Sequence, residues 1–175
     1  MKRIILHRSL VLFACLVTTL AISQPGQTVS SADSIRLVEL NHYFTELSRT
    51  VREGDFEGYK ATYHPDAVCV FTTKDHKYTN PIDVQLALWK PGIDDTKAGK
   101  TKNNVEFRFS QRIGDSTSAH ETGIFNFTSI DKNGKALAAG YVHFEILLVK
   151  RKGVWLALME YQKSKATQKE WDALK

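Results

Sequence analysis

The 175-residue chain carries 24 basic and 19 acidic residues, a formal net charge of +5. Part of that excess lies in residues 1–8, Met-Lys-Arg-Ile-Ile-Leu-His-Arg, which precede an apolar run at 10–22 with small residues at Ala21 and Ser23. This is the pattern of an export signal cleaved after Ser23, and it predicts a periplasmic or secreted protein; an uncleaved N-terminal anchor is the alternative. The run is short for a membrane span. It also continues past Cys15, where a lipoprotein cysteine would close it. Without the leader, 152 residues remain at a net charge of +2, enough for one domain with a real core and too few for two ordinary ones. The local excess at Lys97, Lys100 and Lys102 lacks interleaved aromatics to stack on bases, so it reads as a solvated loop and not a nucleic-acid site. Cys69 is then the sole cysteine. Flanked by Val68 and Val70, it reads as a small buried apolar residue.

Residues 24–32 read as a flexible tether. Asp33 caps a predicted helix whose apolar positions Leu37, Leu40, Phe44, Leu47 and Val51 recur at three and four residues. Gly54 ends it, Asp55 caps a second helix with Phe56, Tyr59 and Tyr63 on one face, and Pro65 stops that helix. Residues 67–73 are a strand by β-branched and apolar content, followed by a polar turn at 74–76. Asn80 and Pro81 predict an N-cap and first helical position, Ile82, Leu86 and Trp89 a buried stripe, and Pro91-Gly92 a stop. The segment 93–104 reads as a long loop.

From residue 105 onward the pattern is antiparallel sheet. Val105, Phe107, Phe109, Gln111 and Ile113 alternate with polar residues, and 118–130, 136–150 and 154–163 are further strands. Two hairpin turns join the last three strands, at Asp131-Lys132-Asn133-Gly134 and Arg151-Lys152-Gly153. Residues 164–175 form a tail with a frayed helix. His120, His42 and His76 have no recognised metal spacing, and no phosphate loop or nucleophile elbow occurs, so neither a metal nor a cofactor is expected.

Gly54-Asp55-Phe56-Glu57-Gly58-Tyr59 and Tyr63-His64-Pro65-Asp66-Ala67-Val68 resemble the helix-to-strand signature of the nuclear transport factor 2-like superfamily. Lys152-Gly153-Val154-Trp155 is similar to its closing hairpin. The likeness covers residues 33–163 and is nearest the SnoaL-like and ketosteroid-isomerase-like branches. It implies an α+β fold: a cone-shaped barrel with N-terminal helices packed on the concave face of a curved, mainly antiparallel sheet. That scaffold hosts isomerases, dehydratases, cyclases, hydrolases and adaptors, so fold alone implies no reaction. The isomerase branch's general base falls at Phe71 and its oxyanion-hole tyrosine at Leu47, which argues against ketosteroid isomerisation. Its protonated acid falls at Glu145.

Alternation leaves two readings of the fifth strand. Tyr141, His143, Glu145 and Leu147 share one face; Val142, Phe144, Ile146 and Leu148 share the other. If the Glu145 match holds, the polar set lines the pocket together with Leu158 and Glu160, and the apolar set must be covered by a second copy, which predicts a homodimer. If it does not, the apolar set is the core face and the polar set is surface. On the first reading, His143, Glu145 and Glu160 are candidate catalytic residues, and Tyr59, Tyr63, Tyr141, Leu147 and Leu158 are ligand-binding. The function implied is binding of a small, largely apolar organic ligand, with lyase- or isomerase-type proton chemistry. A non-catalytic dimerisation or interaction module is the other class.

Overall fold

A computed structural model describes residues 31–73 and 77–174; the predicted leader, most of the tether and the turn at 74–76 lie outside them. The order is α1 (Ser31–Glu53), α2 (Phe56–Ala61), β1 (Tyr63–Phe71), β2 (Tyr78–Pro81), α3 (Ile82–Lys97), β3 (Thr101–Gly114), β4 (Ser118–Asp131), β5 (Ala136–Arg151), β6 (Val154–Ala166) and α4 (Gln168–Ala173). The strands form one sheet ordered β2-β1-β6-β5-β4-β3. All pairings are antiparallel except β1 with β6. Helices α1, α2 and α3 fill the concave side of this curved sheet, as the sequence implies.

The α1 stripe supplies Leu40, Phe44 and Leu47 to the core, which closes on Cys69 and Phe71 of β1, Val105 of β3, Phe144, Ile146 and Leu148 of β5, and Trp155 and Ala157 of β6. Each large apolar side chain so buried contributes roughly 1.5–3 kcal/mol. Gly54 ends α1 in the left-handed region, at φ 68. Its missing side chain also lets α3 touch, since a Cβ there would stand 2.3 Å from the Lys97 nitrogen. Asp55 caps α2 by accepting from the Gly58 N–H at 2.9 Å. That bond, then Arg49, holds its carboxyl below the usual carboxylate value.

Helix α3 runs through Pro91 to Lys97, where the sequence predicts a stop. An interior proline forfeits a helical hydrogen bond, but Pro91 sits on the exposed side. The buried stripe of Ile82, Leu86, Ile93 and Thr96 continues past it. The expected loop at 93–104 therefore shrinks to residues 98–100. Pro81, not Asn80, is the N-cap. Asn80 instead donates through Nδ2 to Gln85 Oε1 at 2.9 Å.

Helix α2 also stops earlier than Pro65 suggests, at Ala61, so Tyr63 is a strand residue paired with Ala157. The tail is ordered too. β6 extends to Ala166, and Thr167 and Glu170 form a reciprocal capping box that starts α4. Trp171 is 5% exposed. The Arg108 guanidinium stacks on its ring at 4.3 Å and donates through Nη1 to the carbonyls of Trp171 and Leu174. Ile124, paired with both Arg108 and His143, is 2% exposed on this convex face.

Candidate ligand cavity

The register of β5 decides which of its faces is inside. Val142 pairs with Phe125, Phe144 with Gly123 and Ile146 with Glu121, whereas His143 pairs with Ile124, Glu145 with Thr122 and Leu147 with His120. Phe144, Ile146 and Leu148 are buried at 2%, 3% and 0% exposure. The apolar set faces the helices, because burying it removes far more surface from water than burying the polar set would.

His143, Glu145 and Leu147 are therefore on the convex face, not at the pocket. His143 Nε2 lies 3.3 Å from Glu170 Oε1 of α4. Glu145 accepts from Lys163 Nζ at 2.5 Å and lies 3.4 Å from His120 Nε2. Lys163, the larger influence, holds its carboxyl below the usual value. A carboxylate paired in this way does not serve as the protonated acid that the resemblance implies at that position. The premise for a covered apolar face also falls, since that set is already inside the fold.

On β6 the alternation breaks twice. Leu147 pairs with Met159 and Leu148 with Ala157, so Leu158 is an extra, bulged residue and does not line the cavity. Phe144 pairs with Gln162 and His143 with Ser164, which leaves Lys163 as a second bulge. The inward series is thus Trp155, Ala157, Glu160, Gln162 and Lys165. Tyr141 borders the mouth, but its hydroxyl bonds Gln168 and its ring lies 5.5 Å from Trp171.

Between helices and sheet is a cavity of about 880 Å³. Its walls are largely apolar and rich in aromatics, including Phe44 of α1, Tyr59 of α2, Trp89 of α3, Phe107 of β3, Phe125 and Phe127 of β4, and Phe144 of β5. Tyr59 meets Trp89 edge-on with centroids 5.7 Å apart. Such a chamber favours an apolar molecule, and a few placed polar groups orient it.

Those polar groups converge on Glu160. Tyr63 donates to its Oε2 at 2.5 Å and Gln162 Nε2 donates to its Oε1 at 2.8 Å. Tyr59 and Tyr63 share a hydrogen bond at 3.2 Å between their hydroxyls. Among the described residues no cation is within ion-pairing distance of Glu160. Burial pushes its carboxyl above the usual value, against the opposing pull of Gln162 and Tyr63. Burial, and then the Glu160 charge, push the Tyr59 and Tyr63 phenols well above theirs. A neutral carboxyl here can donate a proton to a ligand oxygen; once ionised, it can take one from carbon or oxygen.

Of the sequence candidates, the structure gathers Glu160, Tyr63 and Tyr59 at one point. Gln162 and Trp89 are site residues that the sequence does not single out, although Gln162 could have been found as the next inward residue after Glu160. Among the described residues no group of three or more His, Cys, Asp or Glu side chains is placed to hold a metal ion.

No protein-family model matches this chain, and no curated protein matches it by sequence. Solved structures do match it in fold. Aln2, a protein from a Streptomyces species, aligns with TM-score 0.60 at 14% identity, covering 74% of this chain and 91% of that one. A nuclear transport factor 2-like protein of unknown function from Shewanella oneidensis gives 0.57 at 15%, covering 74% and 99%. A Catenulispora acidiphila protein solved in complex with S-DNPA gives 0.56 at 15%, covering 74% and 93%. This chain has the nuclear transport factor 2-like, or cystatin-like, fold, as the helix-to-strand resemblance implies.

Proposed function

We propose that this protein binds a small, largely apolar organic molecule in the concave cavity and that Glu160 exchanges a proton with it. One observation carries the reading: Glu160 is a carboxyl with no cationic partner among the described residues, built into an aromatic-rich wall and held at the cavity by Tyr63 and Gln162. A carboxyl with no charge partner is costly to bury, and it is most useful where proton affinity matters. The small molecule bound to the Catenulispora protein of the same fold supports a ligand in this cavity. As a carboxylate, Glu160 removes a proton from a carbon next to a ligand carbonyl. As the acid, it returns that proton to another carbon, which is isomerase-type chemistry, or to an oxygen leaving from the neighbouring carbon as the double bond forms, which is lyase-type chemistry.

The test is to screen apolar ketones, lactones and acids by their effect on the melting temperature, and then to incubate the best ketone with protein in D2O. Nuclear magnetic resonance should show deuterium entering next to the carbonyl with wild type and not with Glu160→Gln. If no compound raises the wild-type melting temperature, the binding reading fails. If ligands bind without exchange, the chemistry fails and a binding protein remains.

The basic, apolar start of the chain supports export with removal of residues 1–23, checked by the mass of the protein recovered outside the cytoplasm. Homodimerisation now rests on apolar side chains left exposed on the strands, among them Val68 of β1 at 41% exposure and Ile113 of β3 at 50%, and light scattering tests it.

A further inference from the structure

We infer that the ligand is an amphipathic acid: an elongated apolar body whose carboxylate is held at the cavity mouth by Lys165 while its other end reaches Glu160. This rests on the cavity being a ligand site, as proposed above. It adds the charge and shape of what enters.

An irregularity brings Lys165 to the mouth. Continued alternation from Glu160 and Gln162 would turn Ser164 inward and Lys165 outward. Because the pairing with β5 skips Lys163, Lys165 pairs with Val142, a cavity residue, and itself lines the cavity. The skipped Lys163 turns to the convex face and binds Glu145. One bulge thus sends two nearby lysines to opposite sides of the sheet, one to a carboxylate and the other to the cavity.

Lys165 is, among the described residues, the cavity's only cation, and it makes no ion pair with any of them. Glu160 is, among the described residues, the only carboxyl in the wall. Their β5 partners, Val142 and Ile146, are four residues apart, a separation of about 13 Å along the strand. No bridge joins the two side chains. Between them the wall is Val142, Phe144, the facing aromatics and Gln162, whose amide is turned to Glu160, and around the mouth the small residues Ala138, Ala139 and Gly140 leave room for a head group. A molecule matched to this wall is apolar along its length and anionic at the outer end.

The experiment compares one apolar tail with three head groups. Decanoate, decanol and decyltrimethylammonium are titrated into the full-length protein by calorimetry, each below its micelle-forming concentration. Wild type should bind decanoate roughly fivefold more tightly than decanol, as expected of a partly exposed ion pair, and the cation most weakly. The preference should shrink as salt is added. Lys165→Gln should equalise decanoate and decanol while leaving decanol unchanged, and Lys165→Glu should invert the order. Equal affinity for all three heads in wild type, or a preference for decanoate that survives in Lys165→Gln, overturns this inference and leaves the cavity reading standing. Failure of all three tails to bind overturns both.

Discussion

Two glutamates point into this fold, Glu121 buried and Glu160 half-buried, and they are handled in opposite ways. Glu121 of β4 is 0% exposed and faces α1, where Arg112 contacts one oxygen and the Arg36 Nη1 lies 4.0 Å from the other. Arg112 continues to Asn41 Oδ1 at 2.6 Å. Burial pushes the Glu121 carboxyl up and the two guanidiniums pull it back. Glu160 also sits among protein atoms, but only neutral groups hold it, and it opens on a cavity. Compensated charge locks a helix to a sheet; uncompensated charge stays available to a visitor. The contrast separates a carboxylate fixed by charge from one that the proposed function uses for proton exchange, without appeal to either residue's position in the chain.

The contrast breaks most visibly at Glu121. Glu121→Ala leaves the buried Arg36 and the half-buried Arg112 without this partner and should cost about 3–5 kcal/mol in denaturant unfolding; a loss below about 1 kcal/mol would mean that Glu121 is no more structural than Glu160. Next is Tyr63→Phe, which removes a donor to Glu160 and the partner of Tyr59 and should cost about 1–2 kcal/mol by the same measurement. Glu160→Gln should fall within about 1 kcal/mol of wild type, because a neutral isostere avoids the cost of a buried charge, while ligand binding or proton exchange is lost.

The pH dependence of that variant sharpens the comparison. The folded protein holds the Glu160 proton to higher pH than the unfolded chain, whose carboxyl titrates near 4.5. The stability this confers is complete below 4.5 and lost as pH rises through the folded value. Denaturation at a series of pH values should therefore show wild type falling relative to Glu160→Gln as pH rises above 4.5. A parallel pair of curves would remove Glu160 from the titrating set. The smallest effects belong to the convex face. His143→Ala and Glu145→Gln, in exposed pairs, should each change stability by no more than about 0.5 kcal/mol and leave ligand affinity unchanged.

Much of the fold is legible in the sequence because its local signals agree with its packing. The α1 stripe, the Asp55 cap and the two hairpin turns are each read from residue type and spacing, and the structure has them where expected. Pro91 is misleading because a local rule against proline is outweighed by a buried stripe that continues beyond it to Ile93 and Thr96. The site is harder to read than the fold. Alternation gives two faces of β5 but not which is inside, and the bulges at Leu158 and Lys163 move residues between faces with no signature in composition. Glu160 is named from the sequence, yet its companions His143 and Glu145 lie across the sheet from it. Its actual partner, Tyr63, is visible as an aromatic at a helix end but becomes a strand residue only because α2 stops at Ala61.

The parallel pairing of β1 with β6 sets when this site can exist. Tyr63 and Glu160 are 97 residues apart in the chain, and their strands meet only after β2, α3 and the whole antiparallel meander have been made. Contacts of such long sequence separation form late, because the intervening chain must be ordered before they reward it. A polypeptide that stops short of β6 can have its helices and three long strands and still lack the acid altogether. On the proposed reading, occupancy of the cavity would report completed folding, and a ligand that reaches both Lys165 and Glu160 would act as a clasp on the last strand to arrive, slowing its departure more than that of any other element.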